Sequence, residues 1–155
     1  AFGHVFGNNP IWHLDGPGLT STPNSWKTEM SGRGSVSMTY VKRVLDQVGW
    51  ATLVPDASPG FLTGGIGSLD SKAVCSMTST GSNAVVYAPT SRTLQVNLAR
   101  LTGPNVRLRW YDPSAGTYTA IDANPVPNTG TRNLVTPSSN SSGFSDWVLV
   151  AESTA

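Results

Sequence analysis

The sequence predicts a mainly β protein, an antiparallel β-sandwich preceded by one amphipathic helix, and three observations carry that reading. From about residue 59 onward, short apolar-alternating runs recur between turn signals, a spacing that suits a sandwich of short strands. Residues 106 to 116, VRLRWYDPSAG, place Val106, Leu108 and Trp110 on one face and Arg107, Arg109 and Tyr111 on the other, so they read as a half-buried strand. That strand runs into a tight turn in which Pro113 presets φ, Asp112 bonds its own backbone, and Gly116 supplies a left-handed residue. Before the strands, Val36, Tyr40, Val41, Val44, Leu45 and Val48 recur at spacings of three and four, which marks one face of a helix over 34 to 48.

The helix is expected to begin at a Ser35 cap and to stop at Gly49. Strands are expected near 72 to 78, 83 to 88, 93 to 98, 105 to 111, 117 to 121, 131 to 135 and 146 to 151. Trp110 and Tyr111 are assigned to the core and rim of the sandwich, and the polar stretch from Thr136 to Ser145 to a surface loop. Asp56 is expected to cap or bridge the turn into the sandwich rather than to act as an acid.

With 155 residues the chain can bury one moderate core. A formal net charge of +1 with only 12% charged residues, and no basic run, argues against nucleic-acid and membrane-surface partners. No stretch approaches the roughly 20 apolar residues that a spanning helix requires. Few lysines and abundant Ser, Thr, Gly and Asn suit a secreted, extracellular protein. The chain opens Ala1-Phe2-Gly3-His4, with no Met and no apolar leader, and is therefore expected to be a processed or truncated product. The lone Cys75 alternates with Ala73 and Met77 and reads as a buried structural thiol. Asn140-Ser141-Ser142 is a glycosylation sequon.

Four segments match a known pattern in order: Tyr87 and Pro89; Leu94, Val96 and Leu98; Trp110 to Gly116; and Trp147 to Leu149. Together they resemble the small C-terminal β-sandwich labelled a collagen-binding domain, usually attached to apiosidase-like glycoside hydrolases. Ser114 stands where that family frequently carries Arg. Gly3, His4, Phe6, Gly7, Ile11 and Trp12, followed later by Trp50, Leu53, Pro55 and Asp56, resemble the end of the catalytic domain of the same enzymes.

The resemblance implies the last βα unit of a (β/α)8 barrel over residues 1–56, with a helix covering the barrel, and a β-sandwich over 57–155. Another chain, a larger N-terminal one, would complete the barrel. Active sites of such barrels lie on the loops after the strands. The loop from about Gly3 to Ser25 is therefore the expected site, with His4, Asn8, Asn9 and Trp12 as substrate-binding candidates. Amide and imidazole groups bond sugar hydroxyls, and an indole packs on a sugar ring. The bland alternatives are a hydrogen-bonded loop histidine, turn-forming asparagines before Pro10, and a core tryptophan.

Glycosidases generally flank the scissile bond with two carboxyls about 5 to 5.5 or about 6.5 to 9.5 Å apart. Here Glu29 and Glu152 stand beside seven aspartates and form no convincing pair. By resemblance the acid/base and nucleophile come from earlier barrel strands, so no catalytic residue is assigned in this chain. No cofactor is implied, and His4 and His13 lack partners at metal-ligand spacing. Two functions follow: part of a secreted hydrolase acting on a plant or microbial glycan, or a free module binding carbohydrate or matrix protein.

Overall fold

The structure, a computed structural model, describes residues 7–15, 24–58 and 60–155. Among the described residues three α-helices come first: α1 (Asn9–His13), α2 (Trp26–Glu29) and α3 (Arg33–Val48). Ten strands follow: β1 (Leu53–Pro55), β2 (Leu62–Gly64), β3 (Val74–Thr78), β4 (Asn83–Ala88), β5 (Thr93–Asn97), β6 (Asn105–Asp112), β7 (Thr117–Ala120), β8 (Val126–Pro127), β9 (Thr131–Val135) and β10 (Trp147–Thr154). They form a seven-stranded sheet ordered β1-β3-β4-β10-β6-β7, with β8 also on β6, and a three-stranded sheet ordered β2-β5-β9. All pairings are antiparallel.

Strand periodicity sorts the apolar side chains into two cores. Val86 of β4, Leu94 and Val96 of β5, Val106, Leu108 and Trp110 of β6, Leu134 of β9 and Leu149 of β10 fill the space between the sheets. The alternate positions, Tyr111 of β6 with Val148 and Val150 of β10, point the other way and pack with Val44 and Val48 of α3. The molecule therefore has three layers: a helix, a large sheet and a small sheet.

This arrangement corrects the sequence reading of β6. Tyr111 is not a rim residue: it is buried, because α3 covers the face that the alternation assigned to solvent. Its hydroxyl donates to the Tyr40 carbonyl at 2.7 Å, the acceptor a buried phenol requires. Arg43 adds a bond from Nη1 to the Gly116 carbonyl at 3.0 Å, and Asn83 Nδ2 donates to the Val48 carbonyl at 3.2 Å. The helix that the resemblance places over a barrel thus lays its apolar face on the sandwich. Its outward positions include the ion pair between Lys42 and Asp46.

Helix α3 starts three residues earlier than a Ser35 cap would allow. Gly32 is the N-cap, and the Ser35 hydroxyl instead donates to the Glu29 carbonyl at 2.7 Å. The C-terminal stop is Gly49, at φ 75°. Strands β1, β2 and β8, each of two or three residues, escape the period-two reading because so few positions show no alternation. β1 pairs with β3, so the segment before Asp56 already supplies an edge strand to the large sheet. Asp56 itself accepts the Phe61 and Leu62 amides at 2.9 Å each and fixes the corner.

The stretch from Thr136 to Ser145 is also more than a surface loop, since Thr136 and Asn140 are buried. Asn140 Nδ2 donates to Asp146 Oδ1 at 2.8 Å, and Asn140 Oδ1 accepts the Ser142 and Phe144 amides. The sequon amide is thereby committed to the fold. Asp112 holds two segments together: Oδ1 takes Ser114 N at 2.8 Å and Oγ at 2.6 Å, and Oδ2 takes Ser141 N at 2.8 Å and Oγ at 2.6 Å. Burial works to raise the Asp112 pKa, but these four donors from Ser114 and Ser141 outweigh it and hold the carboxyl down to about 2. Cys75 is half-buried against the inter-sheet core, and burial, with Asp56 nearby, pushes its thiol up.

Two outcomes follow from these packings. Gly116 has φ 70°, and a Cβ there would lie 2.5 Å from the Tyr40 ring, so Gly116→Ala is expected to lower stability by about 2 kcal/mol or more in urea unfolding. The folded pKa of Asp112 lies below its unfolded value near 3.8, so its contribution is complete above that value and fades as pH falls toward 2. Acid titration of the unfolding free energy is expected to lose about 2 kcal/mol over that interval, a slope absent from Asp112→Asn.

Candidate functional site

The described part of the expected site is built on α1, α2 and the turns beside them. Asn8 caps α1: its side-chain oxygen accepts the Ile11 amide at 3.2 Å, and Pro10 occupies the first turn, where its missing N–H leaves no orphan. Ser25 caps α2 by accepting the Thr28 amide at 3.3 Å. The two short helices are tied by carboxylates. Asp15 Oδ1 accepts the Trp26 amide at 2.8 Å, while Glu29 accepts Asn24 Nδ2 at 2.7 Å and Asn8 Nδ2 at 3.0 Å. The bonds from Asn24, and then Asn8, hold the Glu29 carboxyl below its ordinary value.

Of the four expected binding residues, three are described. Asn8 spends both ends of its amide inside this network, which makes it a positioning residue for α1. Asn9 opens α1 and is exposed. Trp12 is 71% exposed in this chain. The His13 ring meets the Trp12 ring edge-on at 4.8 Å between centroids and props the indole from one side. His4 lies outside the described residues.

Sequence reasoning missed Glu29 and Asn24 as the organisers of this region. Only the Ser25-Trp26-Lys27-Thr28-Glu29 run hinted at a capped turn with an acid in it, and nothing in it named Asn8, 21 residues away, as the partner. What the arrangement offers chemically is an indole surface beside amide and imidazole groups, set on a turn of helix braced by a charged carboxylate. A flat apolar platform with polar neighbours is the surface on which a sugar ring packs.

A helix-on-sandwich fold with such a segment in front is also found within solved glycoside hydrolase structures. Residues 55–152 match the family described as "Putative collagen-binding domain of a collagenase", and residues 1–52 match the family described as "Apiosidase-like, catalytic domain". The chain belongs to the first family, and its first 52 residues are similar to the second. A solved structure described as a glycoside hydrolase aligns over 99% of this chain and 34% of its own, with a TM-score of 0.81 at 24% identity. A glycoside hydrolase family 5 structure from Bacteroides vulgatus ATCC 8482 aligns over 99% of this chain and 33% of its own, with a TM-score of 0.80 at 22% identity. At these identities the likeness is one of fold. The chain spans about a third of the length of these solved proteins. No curated protein matches the chain.

Asn8→Ala removes the α1 cap and one of the two donors to Glu29. It is expected to weaken α1 locally by about 1 kcal/mol, read as faster amide exchange, while the sandwich unfolds unchanged. In a carbon-detected NMR titration the Glu29 pKa rises toward its ordinary value in Asn8→Ala, and rises further in Asn24→Ala.

Proposed function

We propose that this chain is the C-terminal part of a secreted glycoside hydrolase acting on a plant or microbial glycan, and that it supplies one wall of the active site. His4, Asn8, Asn9 and Trp12 belong to that wall: Trp12 gives the sugar platform, His4 and Asn9 the polar contacts, and Asn8 the positioning of α1. The catalytic carboxylates lie on the rest of the barrel, carried by a larger N-terminal chain of roughly 300 residues. The observation that carries this reading is the exposed Trp12 indole on a braced helix, within the segment that matches an apiosidase-like catalytic domain.

The carboxylates here support the division of labour. A general acid needs a raised pKa near the working pH. Glu29 is shifted the other way, and Asp15 is bound to the Trp26 amide. Glu29 is therefore not poised as the general acid, a role this reading gives to the rest of the barrel.

In the assembled enzyme, Trp12→Ala and His4→Ala are each expected to lower kcat/KM on the glycan substrate by about tenfold or more with Tm unchanged. Unchanged turnover in both variants removes them from the site. Native mass measurement separates the alternative: a stable monomer of 16.3 kDa, with no companion chain and with affinity for carbohydrate or matrix protein, would make this a free binding module.

A further inference from the structure

Helix α3 covers only part of the outer face of the large sheet. Beside it, between the helix and strands β3, β4 and β10, runs a groove of about 630 Å³. Val41, Val44 and Leu45 form its helix wall, and Val74, Val85 and Val148 its sheet wall. Val74 is 54% exposed, and Phe144 at the rim is 60% exposed. The Arg33 guanidinium sits 5.6 Å from the centre of the Phe144 ring and has no ion-pair partner among the described residues.

We propose that this groove seats the remainder of the catalytic domain, which inserts apolar side chains between α3 and the sheet and sets an acceptor opposite Arg33. The proposal rests on the reading that such a remainder exists, and three observations select it as the occupant. The helix wall belongs to the segment matching the catalytic family, and the sheet wall to the segment matching the sandwich family, so the groove is the seam between the two. The same helix-on-sheet arrangement aligns over 99% of this chain with proteins about three times its length, whose other two thirds must meet this portion across some surface. The chemistry of the walls also argues against a hydrated sugar, because valine and leucine leave its hydroxyls unpaired. Continuous exposed apolar surface of this kind marks an interface.

The test places a thiol in the groove. Val74→Cys in a Cys75→Ala background is labelled with a maleimide, once in the isolated 155-residue chain and once in the complete protein. Val135→Cys, on a 68% exposed position of the other sheet, is the control. Labelling at residue 74 is expected to slow by about 100-fold in the complete protein, while the control changes by less than about twofold. Equal labelling of residue 74 in both forms overturns the proposal. So does protection that arises in the isolated chain as its concentration rises, together with a dimer mass in light scattering, which would give the groove to a second copy. Hydroxyl-radical footprinting of the unsubstituted protein reads Val74 and Phe144 directly, so the test does not depend on the variants folding. Protection of Val74 in a complete protein without glycosidase activity would uphold the docking surface and reject the proposed function, which keeps the two separable.

Discussion

Strand β6 is buried on its inner face along its length and on its outer face at Tyr111, and the rest of the structure is arranged around that constraint. Its inner side chains Val106, Leu108 and Trp110 lie between the sheets, while Tyr111 is enclosed beneath α3. Burying a phenol removes its hydroxyl from water, so an acceptor must be brought to it, and the Tyr40 carbonyl is that acceptor. The bond fixes the helix along its axis. With α3 so placed, the Tyr40 ring fills the space above residue 116, and the turn tolerates only a residue without a side chain. The next residue after Tyr111 continues the logic: Asp112 draws the hairpin turn and the Ser141 segment onto one carboxylate.

Much of this was legible in the sequence because one face of each strand is apolar. The paired alternations at 83–88, 93–97 and 131–135 specify strands whose buried faces meet across the inter-sheet core. What the pattern could not convey is the second face of β6. Arg109 and Tyr111 share a side, and a cation beside a phenol reads as solvent-facing. In the fold the Arg109 guanidinium instead pairs with Glu152 and lies 4.1 Å from the Tyr118 ring centre, so that its charge is matched while the layer is covered. A helix more than 60 residues away in sequence does the covering, and periodicity within a strand carries no information about it.

Polar residues misled for a related reason. Asn140 and Asp112 sit in Ser-rich, turn-like sequence, which ordinarily lies in water. Each instead ends inside a closed set of donors and acceptors, and a polar group is buried without penalty only under that condition. The helix that prefaces the sandwich was legible by its three-and-four spacing, but its start was not. Ser35 is a good cap by type, yet its hydroxyl is claimed by the Glu29 carbonyl, and the chain enters α3 through Gly32, whose missing Cβ lets it pass within about 3 Å of Glu29.

The candidate site shows how such claims on a side chain bear on function. Asn8 and Trp12 are separated by one turn of α1, yet their surroundings assign them opposite tasks. Asn8 has its donor and acceptor both satisfied within the protein, so a bond to a sugar would have to displace an existing one. Trp12 has a large exposed ring, braced by His13, and gains from any flat partner that covers it. Glu29 lies between these extremes: two amides satisfy it, and the same bonds favour its charged form over the neutral acid that proton donation needs. Within this segment the bonded side chains hold α1 and α2 in place, and Trp12 is the large ring left exposed on them.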